Sequence, residues 1–414
     1  MKNNQHLGTL HTPLGKRGLY DSVCFCNRCG MCAPLCPAYQ NAPQESNSPR
    51  GRNQALRGVL EGKLKPRQVR TELLELLTSC TLCGRCQAVC PGQIPTAQHV
   101  LELRRTLQAR LLPTLLFKLL RLRGTSPRLF SYLVHTGLWM RRLQGWSVLM
   151  YLPGFAWLKH LNKLLPARTP HPFQALSQTR PSFIYLPSLE AQFFLPDIAQ
   201  STYQLLTKKH RVAVWANTAC GLFEFVYGDL SRARRQLRAL ITRHQKTGKG
   251  KLPLVTDSID VYHFLTQAAQ LFEGYSTWQQ KAQNLAACTR YIADYLPKKP
   301  AALKTISNPV LLMTSALFNN QSSAQEKSAQ ILRSLFKKNF VECGYKEPQA
   351  VPAGYGFIKG SRASQYNLQA VHTVARQQVQ TVVVLSGLAA LELGLSLRQF
   401  YPTARVCHIA KLNG

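Results

Sequence analysis

The stretch "CNRCGMCAPLCP" occupies residues 26–37, and "CTLCGRCQAVCP" occupies residues 80–91. The frame is the same both times. Four cysteines follow the spacing C-x2-C-x2-C-x3-C, a glycine stands directly after the second, and a proline stands directly after the fourth. Gly30 and Gly84 allow the tight backbone that such a loop needs, and Pro37 and Pro91 fix φ where the chain leaves it. Eight of the 13 cysteines lie in these two stretches. That clustering points to metal held in a reducing compartment and away from a disulfide framework.

Three cysteines at x2 intervals can wrap one metal–sulfur cube, while the fourth, after a longer step, reaches a neighbouring cube. In two-cluster ferredoxins this crossing is the rule. The spacing therefore predicts two [4Fe–4S] clusters, one on Cys26, Cys29, Cys32 and Cys90, the other on Cys80, Cys83, Cys86 and Cys36. Zinc is the competing reading, but zinc sites pair two C-x2-C knuckles and close with four ligands. A third cysteine and a Cys-Pro, twice over, have no use there. Cys24 falls outside the frame and is expected to be a spare buried thiol. Between the motifs, Leu56, Val59, Leu60 and Leu64, and again Leu73, Leu74 and Leu77, recur at helical spacing. Helices there would set the two motifs face to face.

The surrounding composition narrows the classes. A chain of 414 residues with 45% hydrophobic content is globular and large enough for several domains. Its formal charge of +34 suits an anionic membrane surface, an acidic partner or a nucleic acid. No helix-turn-helix, zinc-finger or RNA-binding motif is present, so nucleic acid is set aside. The N-terminal "MKNNQHLGTLHTPLGKRG" has no apolar core of a signal peptide, and no apolar run reaches 18 residues. The expected place is the cytoplasm, peripheral on the inner face of the cytoplasmic membrane.

"CNRCGMCAPLCPAYQNAPQESNSPRGR" followed by "CTLCGRCQAVCP" resembles the N-terminal module of the iron–sulfur subunit of glycolate oxidase. Ser48-Pro49-Arg50-Gly51-Arg52 is a specific part of the match. Related subunits serve anaerobic glycerol-3-phosphate dehydrogenase, lactate oxidation and heterodisulfide reductase. The resemblance implies two further cysteine-rich domains, each with a Cys-Cys-Gly signature that in some relatives holds an unusual cluster. Here the signatures are degenerate. In "VAVWANTACGLF" Ala219 replaces the first cysteine, leaving Cys220 and Gly221; in "YLPSLEAQFFLP" Ser188 stands at the cysteine position. "AVPAGYGFIKG" places Pro352 and Ala353 in the second pair, "VVVLSGLAALELG" has Leu388 for cysteine, and "VLLMTSALF" has lost its own. About four thiolates are needed for a cluster. Cys220, Cys288, Cys343 and Cys407 lie in separate segments, so both domains are expected to keep the fold without a metal.

Residues 106–178 differ in kind. No Asp or Glu occurs between Glu102 and Glu190, while a dozen or so Lys and Arg do. "LLPTLLFKLLRLRG" is apolar on one side and basic on the other, and Trp139, Trp146 and Trp157 follow. Amphipathic helices of this composition suit a membrane interface or a partner's docking face. "PARTPHPFQALSQTRPS" (166–182) reads as a linker. Beyond it, "PSFIYLP", "RVAVWAN", "KLPLVTD", "NPVLLMTS", "QTVVVLSG" and "ARVCHIAKL" read as strands. They alternate with helices such as "DLSRARRQLRALITRHQKTG", capped by Asp229 and ended at Gly248.

The expected fold class is multidomain α+β. A two-[4Fe–4S] ferredoxin-like domain (1–105) precedes a basic amphipathic helical segment and linker (106–178). Two tandem α/β domains of the degenerate cysteine-rich type follow, over 179–300 and 301–414. No P-loop, G-x-G-x-x-G, H-E-x-x-H or other catalytic constellation is found. The resemblance implies an electron-transfer subunit without its own substrate-oxidising site. It would relay electrons from flavoprotein dehydrogenase subunits toward a membrane quinone. A non-catalytic assembly or anchoring subunit with structural clusters, and service to a glycerol-3-phosphate, lactate or heterodisulfide-reductase-like complex, stay open as alternatives.

Overall fold

The computed structural model describes residues 7, 9–12, 15–107, 114–142, 150–152, 155, 157–165, 172–173, 178–296, 309–314, 323–341 and 367–413. Pro352, Ala353, Cys343, Trp146 and most of 166–177 lie outside them, as does the side chain of Trp157.

The chain opens with a short antiparallel hairpin, β1 (Leu10–Thr12) and β2 (Gly15–Arg17). It is pinned to the body by Thr9 and Lys16, both on Glu273. The N-terminal module is helical: α1 (Leu19–Cys24), α2 (Pro37–Asn41), α3 (Pro49–Leu60), α4 (Arg70–Ser79), α5 (Arg85–Ala88) and α6 (Thr96–Leu107). Leu56, Leu73, Leu76, Leu77, Val100, Leu101 and Leu103 form its core. The predicted inter-motif helices are α3 and α4, but α3 stops at Leu60, so Leu64 packs from the following turn against Gly58.

The acid-free segment forms α7 (Thr114–Thr125), α8 (Pro127–Arg142) and α9 (Trp157–Leu164). The link from α7 to α8 is a single residue, Ser126, whose N–H caps Leu122 O and whose carbonyl accepts from Phe130 N–H. No helix among the described residues is long and apolar enough to cross a membrane.

Two four-stranded sheets follow. The first runs β3 (Phe183–Leu186), α10 (Leu189–Phe193), α11 (Pro196–Thr207), β4 (Val212–Val214), α12 (Leu222–Val226), α13 (Leu230–Lys246), β5 (Leu254–Thr256), α14 (Ile259–Thr266), α15 (Ser276–Cys288) and β6 (Thr289–Tyr291). The second runs β7 (Val310–Met313), α16 (Ser323–Phe336), β8 (Phe340–Val341), α17 (Leu368–Arg376), β9 (Thr381–Val384), α18 (Gly387–Phe400) and β10 (Arg405–His408). Every pairing is parallel. The spatial orders are β4-β3-β5-β6 and β10-β9-β7-β8. Both are the same doubly wound arrangement, second-first-third-fourth in each sheet's own chain order. The strands are apolar runs because helices cover both faces. Asp229 caps α13 as expected, its carboxylate accepting from Arg232 N–H at 3.1 Å, and Gly248 takes φ +67° just past the end.

The two sheets are not independent. One apolar cluster contains Tyr185, Val214 and Val255 of the first and Val310, Val383 and Ile409 of the second. The Tyr291 hydroxyl donates to Leu385 O at 2.8 Å, and Ile259 N–H donates to the same carbonyl at 3.0 Å. The strand ends at the two switch points therefore face one another. The loops leaving β3 and β9 use one device: Ser188 caps α10 by accepting from Ala191 N–H, and Ser386 caps α18 by accepting from Ala389 N–H, both at 3.3 Å. Such caps contribute about 1 kcal/mol each.

Candidate functional site

The two cysteine loops adopt matching backbones. Arg28 and Leu82, one residue before the second cysteine of each motif, have φ of +55° and +58°; Gly30 and Gly84, one residue after it, have +85° and +72°. Left-handed non-glycine residues are costly, so their recurrence at equivalent places marks a demanding loop. At Gly30 a side chain would also press on the Arg50 guanidinium, 3.1 Å from the Cβ position.

The Ser48–Arg52 stretch holds the first loop in place. Ser48 caps α3 by accepting from Gly51 N–H at 2.9 Å and donates its own hydroxyl to Glu45 at 3.0 Å. Pro49 occupies the first turn, where its missing N–H costs nothing. Gly51 is required because a Cβ there would collide with the Glu45 carbonyl oxygen. Arg50 pairs with Glu45 at 2.8 Å and reaches Arg28 O at 3.4 Å. Arg52 turns inward, fully buried. Its guanidinium donates to Cys36 Sγ at 3.6 Å, to Ser79 Oγ at 2.7 Å and to Leu76 O at 3.4 Å.

A cavity of about 150 Å³ lies between the motifs. It is lined by Cys26, Cys29 and Cys32 of the first motif and by Cys86 and Cys90 of the second. About 10–15 Å³ suffices for one water, so the space is that of a multi-atom group. Among the described residues, no three of His, Cys, Asp and Glu are gathered tightly enough for a single ion. Burial pushes the Cys32 thiol up to about 11, with Cys26, Cys90 and Cys36 adding to the shift. Burial likewise raises Cys80, against the pull of Arg52 and Arg104. It raises Cys86 further, with Cys83, Cys80 and Cys36 adding. Cys36 is thus electrostatically coupled to Cys80 and Cys86 of the other motif. Burial alone would lower the Arg52 pKa, but Cys36 and Cys80 beside it raise it above its ordinary value. A set of thiols, most of them half-buried, with a buried, fixed guanidinium is chemically suited to iron–sulfur ligation: thiolates that are costly without metal become stable on binding it. Cys24 ends α1, half-buried, and does not line this cavity.

Arg104, at the C-terminal end of α6, joins this module to the first sheet. Its guanidinium donates to Leu77 O at 3.0 Å, Cys80 O at 3.1 Å and Val226 O at 2.8 Å. Gly228, with φ +88°, approaches the Arg104 backbone closely. Arg52 and Arg104 were not singled out by sequence reasoning; only the SPRGR match and the start of the acid-free segment hinted at them.

The degenerate signature positions also converge. Ser188, Ala219, Cys220, Gly221 and Leu388 line a small cavity of about 50 Å³ between the facing strand ends. Besides the one remaining thiol, Cys220, it holds Arg123 from α7 and the carboxyl groups of Glu190, Glu224 and Asp260. Burial, with Asp257 and Asp260 nearby, pushes Glu190 up to about 7. Burial also raises Glu224 and Cys220. Asp257, raised by burial, is held by Tyr185 Oη–H and by Ser188 N–H at 3.0 Å. Cys288 lies elsewhere, its thiol 3.6 Å from Gly250 O, and Cys407 sits on β10.

A 4Fe-4S dicluster domain family matches residues 22–94. Over 80 residues the chain is 36% identical to the probable glycolate oxidase iron-sulfur subunit of Bacillus subtilis, covering 19% of this chain and 17% of that protein. It is 32% identical over 133 residues to the glycolate oxidase iron-sulfur subunit of Escherichia coli, 31% of each chain. Over 98 residues it is 33% identical to the Hdr-like menaquinol oxidoreductase iron-sulfur subunit 2 of Archaeoglobus fulgidus, 20% of this chain and 18% of that one. The aligned part is thus under a third of each relative's length. The resemblance to glycolate oxidase iron–sulfur subunits stands.

Proposed function

We propose that the chain is the iron–sulfur electron-transfer subunit of a glycolate-oxidase-type 2-hydroxy-acid dehydrogenase complex. It receives electrons from flavoprotein subunits and passes them to a membrane quinone. One observation carries this reading: a cavity lined by three cysteines of the first motif and two of the second, in a segment matched by the dicluster family. Cys26, Cys29, Cys32 and Cys90 would hold one cluster; Cys80, Cys83, Cys86 and Cys36 would hold the other. Bound there, [4Fe–4S] clusters supply one-electron carriers. The chain's residues shape what surrounds them. Arg52 and Arg104 place positive charge beside the second set, and apolar Leu77 and Leu82 keep water out. The quinone is supported by the Archaeoglobus fulgidus relative, an Hdr-like menaquinol oxidoreductase iron-sulfur subunit. Attachment to the inner face of the cytoplasmic membrane is part of the same proposal. It is supported by the basic α7–α9 segment and its exposed Leu129, Tyr132, Leu133, Trp139, Tyr151 and Leu152.

Cys36→Ser tests the crossed ligation. It should damage the cluster built on Cys80, Cys83 and Cys86, although Cys36 belongs to the first motif. Selective loss of the cluster on Cys26, Cys29 and Cys32 would refute the assignment.

A further inference from the structure

A cavity of about 700 Å³ lies under α7, α8 and α9, where they cover α10 and the start of α18. Its wall is almost wholly apolar, built from side chains such as Phe130, Leu138, Leu158, Leu161 and Phe194. The volume falls in the range of small-molecule pockets, about 300–1,000 Å³. Native interiors rarely leave such space empty.

Three placements say what occupant it suits. First, the apolar cavity abuts the small polar one, sharing Leu120, Leu189, Phe223, Tyr227 and Leu388 with it. At that polar end Arg123 is buried, and its Nε has no hydrogen-bond partner among the described residues. The groups facing it are Glu190, Glu224, Asp257 and Cys220. Second, the outer edge carries Leu133, 40% exposed, and exposed Lys118. Leu129, Tyr132, Leu133 and Trp139 fall on one face of α8 and are all exposed. Third, Tyr227 of the wall directly follows Val226, whose carbonyl shares the Arg104 guanidinium with the carbonyl of Cys80. The cavity therefore runs from a membrane-suited helix face to within one arginine side chain of the second cysteine motif.

We propose that the two joined cavities form a binding site for an isoprenoid quinone. The prenyl tail lies in the 700 Å³ apolar cavity, and a head-group carbonyl oxygen accepts from the Arg123 guanidinium. A long apolar tail with a single polar head matches this polarity, whereas a polar ligand would leave its groups unpaired along the wall. Reduction of a quinone to its quinol takes two electrons and two protons, one to each carbonyl oxygen. The two iron–sulfur clusters, held by the eight motif cysteines, would supply one electron each; one proton would come from Glu190, which lines the polar cavity, and the second from solvent water, which would also reprotonate Glu190. Glu190, held at about 7, is a carboxyl able to give and regain a proton near neutral pH. This site rests on the proposal that a quinone is the acceptor, and the test separates the two.

Gly137 on α8 lines the cavity, and a Cβ there meets nothing within 4 Å. Gly137→Phe should therefore start into open space and fill part of the cavity, and loss of a mid-helix glycine should not weaken the helix. Menaquinone-4 binding to the full-length, cluster-loaded chain is measured in detergent by equilibrium gel filtration. Iron content and thermal midpoint of every variant serve as the folding check. The wild type is expected to bind about one menaquinone-4. Gly137→Phe should weaken binding at least tenfold with iron unchanged. Leu133→Trp, at the outer edge, should also weaken it, which guards against misfolding of the first variant. Arg123→Gln should weaken it roughly tenfold, the loss of one hydrogen bond from a charged donor. Binding that Gly137→Phe and Leu133→Trp leave unchanged would overturn the site. So would equal displacement by dioleoylphosphatidylglycerol, which would make this a lipid cavity. If the wild type does not bind menaquinone-4 yet its clusters are reduced by the flavoprotein partner, the site fails while the electron-transfer reading survives.

Discussion

Arg52 gives a charge whose effect can be worked out. Its guanidinium is fully buried and stands 3.6 Å from Cys36 Sγ. If Cys36 completes the cluster on Cys80, Cys83 and Cys86, that charge would stand beside a ligand sulfur; taking a charge separation of roughly 6 Å and an effective dielectric of about 20, it would be worth ~3 kcal/mol. One-electron reduction adds a negative charge beside it, so the arginine raises the potential. At about 59 mV for each tenfold change in equilibrium constant, the upper bound is ~120 mV. Arg52→Gln should therefore lower the potential of this cluster by several tens of millivolts up to that bound. Gln can keep one hydrogen bond toward Ser79, which limits the damage to folding. The other cluster, beside Arg50 and not Arg52, should move far less. The assay is a potentiometric titration of the full chain followed by electron paramagnetic resonance, with iron content as the control. A shift below ~20 mV in both clusters, or a larger shift in the cluster on Cys26, Cys29 and Cys32, would refute the placement of Arg52 and the crossed ligation together.

Other consequences follow from the same packing. Gly51→Ala gains helix propensity of about 1 kcal/mol but drives a methyl into the Glu45 carbonyl. Overpacking against backbone costs roughly 1–3 kcal/mol, so denaturant unfolding should show net destabilisation; a stabilised variant would contradict it. His99 is held neutral between the Ser22 hydroxyl at 2.8 Å and Asn53 Oδ1 at 2.9 Å, and burial pushes its pKa down to about 3. With the folded pKa depressed below the unfolded ~6.5, its stabilisation is complete above 6.5 and is lost as pH falls toward 3; at pH 5 the loss is about 2 kcal/mol. The stability gap between wild type and His99→Gln should narrow by that amount between pH 7 and 5, and a constant gap would count against it. On anionic liposomes, the chain should sediment at low salt and keep part of its binding at high salt, because buried apolar area resists screening. Tyr132→Ser with Trp139→Ser should make the remainder salt-sensitive. Retention in the supernatant at low salt would remove the membrane from the account.

Much of the frame is legible in the sequence because it is written in local spacing. The two cysteine loops, the Asp229 cap and six of the eight strands of the parallel sheets show as motifs or apolar runs. Of the missed strands, β6 (Thr-Arg-Tyr) carries the exposed Arg290 at its centre and follows α15 without a break, so no apolar run marks it, and β8 has only two residues. The N-terminal hairpin is missed because its six strand residues include only one buried apolar side chain among those whose burial is described, Leu10. Contacts between distant residues are illegible in principle. Tyr185 meets Asp257 across 72 positions, and Arg104 meets Val226 across 122. The substitutions at Ser188, Ala219 and Leu388 are visible as missing cysteines. That an arginine from the basic helices and several carboxyl groups occupy the place where they converge emerges only from the fold.

The most direct measurement is iron and acid-labile sulfide per chain in anaerobically purified protein, combined with electron paramagnetic resonance before and after reduction. Two clusters on eight cysteines require about eight iron and eight sulfide, with both clusters reversibly reducible and their signals broadened by mutual proximity. About four iron per chain, zinc as the main metal, or clusters that cannot be reduced and reoxidised would contradict the account.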